Sequence, residues 1–530
     1  MVSLAVVAGA TSRVSGQAHH GLGDVDFAIS CSPQARTEFN EAVALLHHMT
    51  YPQARAEFER VVTTDPQCAM AHWGIAMTLF QPLWPTRPSP QALQRGWEEV
   101  QKAKQLNPAT DQERLFVEAA DAFFLEPSSA DYWLRIRRWE SAMEKAHNAF
   151  PNDVEVSAFY ALAHLATARS DTISRTNADH AASILLAEFE RHPNHPGLMH
   201  YLVHANDVPT REKESLEITR RYDAVAPSNA HALHMPTHIY TRLGDWDGVV
   251  RGNVRAAVAA LEVPAGEKGE LVWDEYPHAV EYLVYAYLQK AADDSAAAWV
   301  RRLRSTGNLE PTFKTAFHLV STQARYALER RDWNAAMEVV PRTPVNLAWD
   351  RFWWPEAIAQ FTTGLGAVHL GKGAEAAAAS ARLDTLERTS REAKEELFAR
   401  SIRVLRLELD GWRANADGER ERSITLLREA VDLEAATPKH AVTPGPTVPA
   451  LELLGDLLLE QKKPADALVA YRSALVRYPN LFNSVLGAAR AARRAGNATQ
   501  ARTYYGQLLK LGAGGGRRPI LAEARAFLRP

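Results

Sequence analysis

Apolar and small residues recur along this chain at helical rather than strand spacing, and the helices they mark come in pairs. The clearest stretch is "PALELLGDLLLEQKKPADALVAYRSALVRYPN". There Gly455 is followed by Ala467, Tyr471, Ala474 and Pro479, at offsets of 12, 16, 19 and 24. Read as two antiparallel helices, this order has a packing logic. Small residues let the helices approach, the aromatic ring fills the space between them, and proline ends the second helix. Ala489, Ala501, Tyr505 and Leu508 continue the pattern. Near the other end, "FNEAVALLHHMTYPQARAEFERVVTTDPQ" sets Ala42, Ala54, Phe58, Val61 and Pro66 on the same grid. Further pairs end at Pro108, Pro151, Pro193 and Pro227, so units of about 34–40 residues tile residues 35–300. Strand-like alternation is rare, and the chain reads as all-α.

The small–small–aromatic–small–proline order resembles the tetratricopeptide repeat (TPR). That resemblance implies a TPR-type α-α superhelix, a solenoid of antiparallel helix pairs, and a protein partner. Two segments interrupt the period: "QPLWPTRPSP" (81–90) and "ATPKHAVTPGPTVPA" (436–450). Between them, over 301–435, helices stay amphipathic while the spacing drifts. The expected organisation is a signal-like or disordered segment over 1–30 and a TPR array with a His-rich concave groove over 31–300. Divergent helical repeats fill 301–435, and a Pro-rich loop with a C-terminal TPR pair fills 436–530.

Charge narrows the partners. With 60 basic and 63 acidic residues in 530, the net charge is −3 and no basic footprint for nucleic acid exists. No apolar run reaches the roughly 20 residues of a membrane span. Cys31 and Cys68 flank the first helix pair. They either form one disulfide clasping it or stay as two thiols, with Cys68 packed in a helix. The start, "MVSLAVVAGATSRVSGQAHH", has a short apolar run, Leu4 to Ala10, but no charged n-region. This incomplete signal points to export into the periplasm, with the cytoplasm as the alternative.

The chemistry lies in the histidines. In a helix-pair repeat, the second, fifth, ninth and twelfth-to-thirteenth residues of each first helix face the concave groove. Counting from Pro196 in "HPGLMHYLVHANDVP", the fifth, ninth and twelfth residues are His200, His204 and Asp207. Counting from Ala230 in "NAHALHMPTHIYTRLGDWD", the second, fifth, ninth and thirteenth are His231, His234, His238 and Arg242. In "WDEYPHAVEYLVYAYLQ", His278, Glu281 and Tyr285 take the equivalent places. Neighbouring inner helices lie about 8–10 Å apart, so these groups share one groove.

Two histidines at i, i+4 on one helix can chelate a metal, and the pattern occurs twice here. The expected metal ligands are His200, His204, His231, His234, His238 and His278. Asp207, Glu281 and Arg242 are the expected catalytic groups, with both carboxylates also candidate ligands. Such a donor set suits a divalent transition metal (Fe, Zn, Cu, Mn or Ni), bound either as a dinuclear site or as one ion with histidines behind it. A groove gripping a peptide or small anion through histidines is the competing reading. His147, His164, His180, His318 and His369 read as packing or surface residues. Tyr201, Tyr240, Tyr282, Tyr285 and Tyr287 read mostly as core, and Trp353 and Trp354 as core or the cap of a pocket. His19 and His20 would form a copper-binding terminus if cleavage followed Ala18; a disordered tail is the simpler account.

Over nearly its full length the chain also resembles a group of bacterial TPR-containing proteins of largely undefined activity. The resemblance rests on "HHGLG", "SCSPQAR", "CAMAHWGIAM", "HPGLMHYLVHANDVP", "HALHMPTHIYTRLG" and "KHAVTPGPTVPALELLGD", and it implies no particular reaction. The reading is a metal-dependent enzyme, oxidative or hydrolytic, acting on a small-molecule or peptide ligand in the groove. The alternative is a non-catalytic TPR scaffold or a metal-binding assembly factor.

Overall fold

The structure is a computed structural model that describes residues 21–84, 87–128, 131–168, 175–266, 269–514 and 517–529. The signal-like start and the pair His19–His20 lie outside the described residues. Helices follow one another in antiparallel pairs from Pro33–His47 to Ile520–Leu528, and one two-stranded ribbon, Pro264–Ala265 with Leu271–Val272, is the sheet among the described residues. The chain is an all-α solenoid, and no described helix is long and apolar enough to cross a membrane.

The repeat signature does what its residue sizes dictate. In the C-terminal pair, Ala450–Glu460 and Pro464–Arg477, the fully buried Tyr471 ring lies against the backbone of two glycines. A Cβ on Gly455 would stand 2.7 Å from that ring, and one on Gly487, in the next helix, 2.2 Å from it. Phe58 repeats this against Gly74, where a Cβ would stand 2.3 Å away. Glycine is required at these places by close approach. Tyr471→Ala is therefore expected to leave a cavity costing about 3–5 kcal/mol. The check is thermal denaturation, with the C-terminal helices Phe482–Arg494 and Ala498–Leu511 losing protection first.

Cys31 and Cys68 are bonded to each other, which decides between the two alternatives for this pair. The drift in spacing over 301–435 has a simple cause. Trp353–His369, Gly373–Glu392 and Glu396–Ala416 run to 17, 20 and 21 residues, against 11 and 14 in the C-terminal pair. Pairs built from longer helices have a longer period.

The apolar core forms two main bodies, one spanning Phe27 to Ala205 and one spanning Ala230 to Ala491. The segment 436–450 does not hang outside them. Arg325, itself buried, holds it by donating to the Pro446 and Gly445 carbonyls at 2.8 and 2.6 Å and to Thr443 Oγ1 at 3.2 Å. Pro479 and Asn480 meet Gly244 and Trp246 across the fold, with Trp246 Nε1 donating to the Asn480 carbonyl at 2.9 Å. The expected open groove is thus closed over by the chain's own C-terminal half.

Burial depresses two histidines of this half. His440, packed near Trp354 and Phe398, falls to about 3, by burial first and then by the Arg87 and Lys439 charges. His369, stacked on Trp333, falls to about 4 for the same leading reason. A depressed folded-state value means that the unfolded chain takes up protons first. Stability is therefore full above pH ~6.5 and declines as pH falls towards 4 and then 3, by at most ~1.4 kcal/mol per pH unit for each such histidine. Denaturant midpoints between pH 7.5 and 4 should fall steadily, and His369→Phe should flatten the upper part of that decline.

Candidate metal centre

Three helical stretches bring the expected residues together: Pro196–Asn206, the broken pair Ala230–His234 and Pro236–Leu243, and Glu275–Gln289. The break falls at Pro236, which has no N–H to give the preceding turn. Met235 keeps helical dihedrals (φ −54°, ψ −42°), so direction is retained and His234 still meets His238 one turn on, edge to face with ring centroids 4.8 Å apart. A continuous helix was the expectation here; proline interrupts the hydrogen-bond ladder without turning the face.

All six expected metal ligands assemble, in two triads: His200, His204 and His231, and His234, His238 and His278. Within each, one ring nitrogen per residue lies within 4.8 Å of the other two. All are buried except His204, which is partly exposed to an interior cavity of about 680 Å³. Trp84, Tyr132, Phe317, Trp354, Lys439 and Arg477 are among the residues around it, so distant parts of the chain meet at one space. Trp354 therefore belongs both to the core and to the cavity wall.

The hydrogen bonds fix where the protons sit. His234 Nδ1 is 2.6 Å from Asn253 Oδ1, while Asn253 Nδ2 donates to Thr237 Oγ1 and the Val249 carbonyl at 3.0 and 2.9 Å. The amide oxygen must face His234, so His234 Nδ1 carries the hydrogen. His238 Nδ1 is 3.0 Å from Asp207 Oδ2, an acceptor only, and donates to it. The Tyr282 hydroxyl, at 3.3 Å from the same nitrogen, then lies beside that bond. His278 Nδ1 sits 2.8 Å from His318 Nε2, and His318 Nδ1 sits 2.5 Å from Glu281 Oε2. The carboxylate makes His318 the donor, so His318 Nε2 accepts from His278 Nδ1–H. Each of the three imidazoles is left with a bare Nε2. Those of His234 and His238 face each other at 3.0 Å, and that of His278 is buried without a partner.

Burial holds His234 and His278 well below 6.5 and brings His238 down to about 4, so all three are neutral at pH 7. Two bare lone pairs at this distance, with no hydrogen between them, repel. A cation between them removes the conflict.

The carboxylates stand behind the imidazoles. Burial would raise the Asp207 carboxyl, but Lys439 and Arg242, with the His238 hydrogen bond, hold it well below the usual range. Lys439 Nζ lies 2.7 Å from Asp207 Oδ2 and Arg242 Nε 2.5 Å from Oδ1. Burial likewise opposes ionisation of Glu281, and the His318 bond outweighs it first, followed by Arg325 and Ser321. Oxygens of Glu281 accept from His318, Ser321 and Arg325, and neither carboxylate belongs to a triad. Arg242 and Asp207 reach the cavity; Glu281 orients His278 through His318.

His318 was expected to be a packing residue, and its place in this relay corrects that expectation. The signal lay out of reach because His318 follows the point where the period drifts. A third group, His47, Glu155 and His195, also passed unnoticed. Its protons are all placed. His195 accepts from Leu198 N–H and donates to Glu155 at 2.9 Å; His47 accepts from the Tyr201 hydroxyl at 2.9 Å and donates to Glu155 at 2.8 Å. No lone pair is left over, and the group reads as a structural knot. It also explains Gly197, where a Cβ would lie 2.5 Å from His47 Nδ1. His147, His164, His180 and His369 lie away from the triads, His164 beside Glu140 at 3.1 Å.

An all-α solenoid of helix pairs defines the chain as a helical-repeat protein. Residues 450–481 match the family model for the tetratricopeptide repeat, and the C-terminal helix pair is such a repeat. Similar solved structures include the APC/C hetero-tetramer Cut9–Hcn1, at 12% identity over 94% of this chain and 96% of that one, with a TM-score of 0.32. Others are the human IFIT1 dimer with m7Gppp-AAAA (13%, 84% and 90%, TM-score 0.38) and yeast Tom70 (11%, 93% and 94%, TM-score 0.28). No curated protein matches the chain significantly.

Proposed function

We propose that this chain is a TPR metalloprotein in which His234, His238 and His278 bind a transition-metal ion that acts on a small molecule in the adjoining cavity. One observation carries the reading: three buried, neutral imidazoles converge with every Nδ1 committed to an acceptor and every Nε2 bare. Neutral nitrogen donors favour Zn, Cu, Fe or Ni over Mg or Ca. Three ligands leave a coordination position for water or dioxygen, supplying hydrolysis in one case and oxidation in the other. His204, Asp207 and Arg242 share the cavity and are placed to hold or polarise what binds there. The Cys31–Cys68 bond supports an oxidising compartment and hence export.

Elemental analysis of protein purified without a polyhistidine tag tests this. About one ion per chain at this triad is expected, since a preformed site of neutral donors retains its metal through purification. Metal-free, folded protein would sink the reading. A scaffold or metal-delivery role is favoured by the tetratricopeptide match alone. It would be supported if loaded protein neither consumes dioxygen nor hydrolyses ester, amide or phosphate probes.

A further inference from the structure

Beside the triad just described lies the second set, His200, His204 and His231. We infer that it seats a second metal ion, so that the centre is dinuclear with three histidines to each ion. This deepens the proposed function and rests on it.

Two sets rather than one follow from the positions of the ring nitrogens. A single ion holds imidazole nitrogens at about 2.0–2.1 Å, so its ligands' nitrogens lie at most ~4.2 Å apart. His200 has ring centroids 4.9 Å from both His204 and His231, and His234 lies 4.8 and 4.2 Å from His238 and His278. Between the sets, His231–His234 and His204–His238 stand 6.3 and 6.4 Å apart, but His238–His278 within one set is 6.1 Å apart, so it is the nitrogens and not the ring centres that divide the six. The nitrogens group accordingly, three and three. Adjacent sets of this kind suit two ions sharing a bridging ligand, commonly about 3.5–4 Å apart.

His231 is the independent observation. It is 1% exposed, yet its Nε2 has no polar partner at all. Glu275 Oε1, which also pairs with Lys314, lies 3.2 Å from Nδ1 and accounts for that nitrogen alone. A buried imidazole nitrogen with no partner carries an unmet desolvation cost, which a bound cation removes. His200 is prepared in the same manner as the other triad. Its Nδ1 donates to the His47 carbonyl at 2.6 Å, which leaves a bare Nε2 3.1 Å from His204 Nε2. The contrast is the His47–Glu155–His195 group, in which every ring nitrogen has a hydrogen-bond partner.

The donor set fixes the class of bridging ligand. Six imidazoles bring no negative charge, and the nearest carboxylates, Asp207, Glu275 and Glu281, each carry a cationic partner. Two cations here require an anion from outside, so the bridge is a hydroxide or the ionised oxygen of a carboxylate, phenolate or phosphate substrate. Such a ligand would arrive by the cavity that His204 reaches.

The test counts ions. Full-length, tag-free protein is stripped, reloaded with Co(II) or Cu(II), desalted and measured for metal per chain. Two ions per chain are expected, falling to one in His231→Asn and to one in His278→Asn. His204→Asn serves as a second variant should His231→Asn unfold, with circular dichroism reporting the fold of each. With Cu(II), the paired centre should show a weakened paramagnetic resonance, while either single variant shows one isolated Cu(II) signal. One ion per chain in the wild type, unchanged by His231→Asn, would overturn the second seat and leave the first. No bound ion at all would overturn both.

Discussion

His238→Asn is expected to reduce metal retention at the His234–His238–His278 triad at least 100-fold, on the order of what loss of a ligand plus its oriented neighbour does. The side chain holds two functions at once. Its Nε2 faces that of His234 at 3.0 Å, and its Nδ1 is one of three groups that keep Asp207 ionised, beside Arg242 and Lys439. Asparagine can still donate to Asp207, which preserves that network while removing the donor nitrogen. Competition titration with a chromogenic chelator reads the affinity. Unchanged affinity would show that the lone pairs at this position hold no metal. The fold should survive, since the repulsion between two bare nitrogens is removed with the ring.

Arg325→Leu is expected to cost about 3–5 kcal/mol of stability, because it strands a buried charge. Glu281 is fully buried and its ionised form depends on His318, Arg325 and Ser321 together. The same guanidinium pins 436–450 through Thr443, Gly445 and Pro446. The loss should appear as a lower denaturation midpoint and as new proteolytic cleavage near residues 443–446. Glu281→Gln separates the two roles. It keeps an acceptor for Arg325 but no longer forces the His318 tautomer, so metal affinity should fall more than stability. A variant that loses stability and keeps full affinity would show that the relay through His318 does not prepare His278.

Much of this was legible because packing writes itself into residue size. Gly455, Tyr471 and the prolines set the period, and the period alone turned His200, His204, His231, His234, His238 and His278 towards one place. The register also brought Asp207 and Arg242 to the site. It could not say that these groups would be enclosed. Enclosure comes from contacts between residues far apart in sequence, such as Arg325 with Gly445 and Trp246 with Asn480, which no local pattern encodes. His318 was missed for a related reason: the long helices after residue 301 shift the count that had served before it. His47 and His195 carry no spacing signal, since Glu155 joins them from a third helix. Pro236, by contrast, was in plain view, and its effect was local.

Burial of His234 and His278 has a consequence in time rather than in strength. Both are 0% exposed, and of the six histidines only His204 reaches the cavity. An ion seated there can leave only past His204 or when surrounding helices part, so its escape is governed by how fast that path opens and not by its affinity alone. Exchange with an isotopically labelled ion should then be slow, independent of chelator concentration once chelator is in excess, and quickened by sub-denaturing urea. A protein of this kind would keep the metal it acquired while folding, and the identity of that metal would be decided where and when the chain closes.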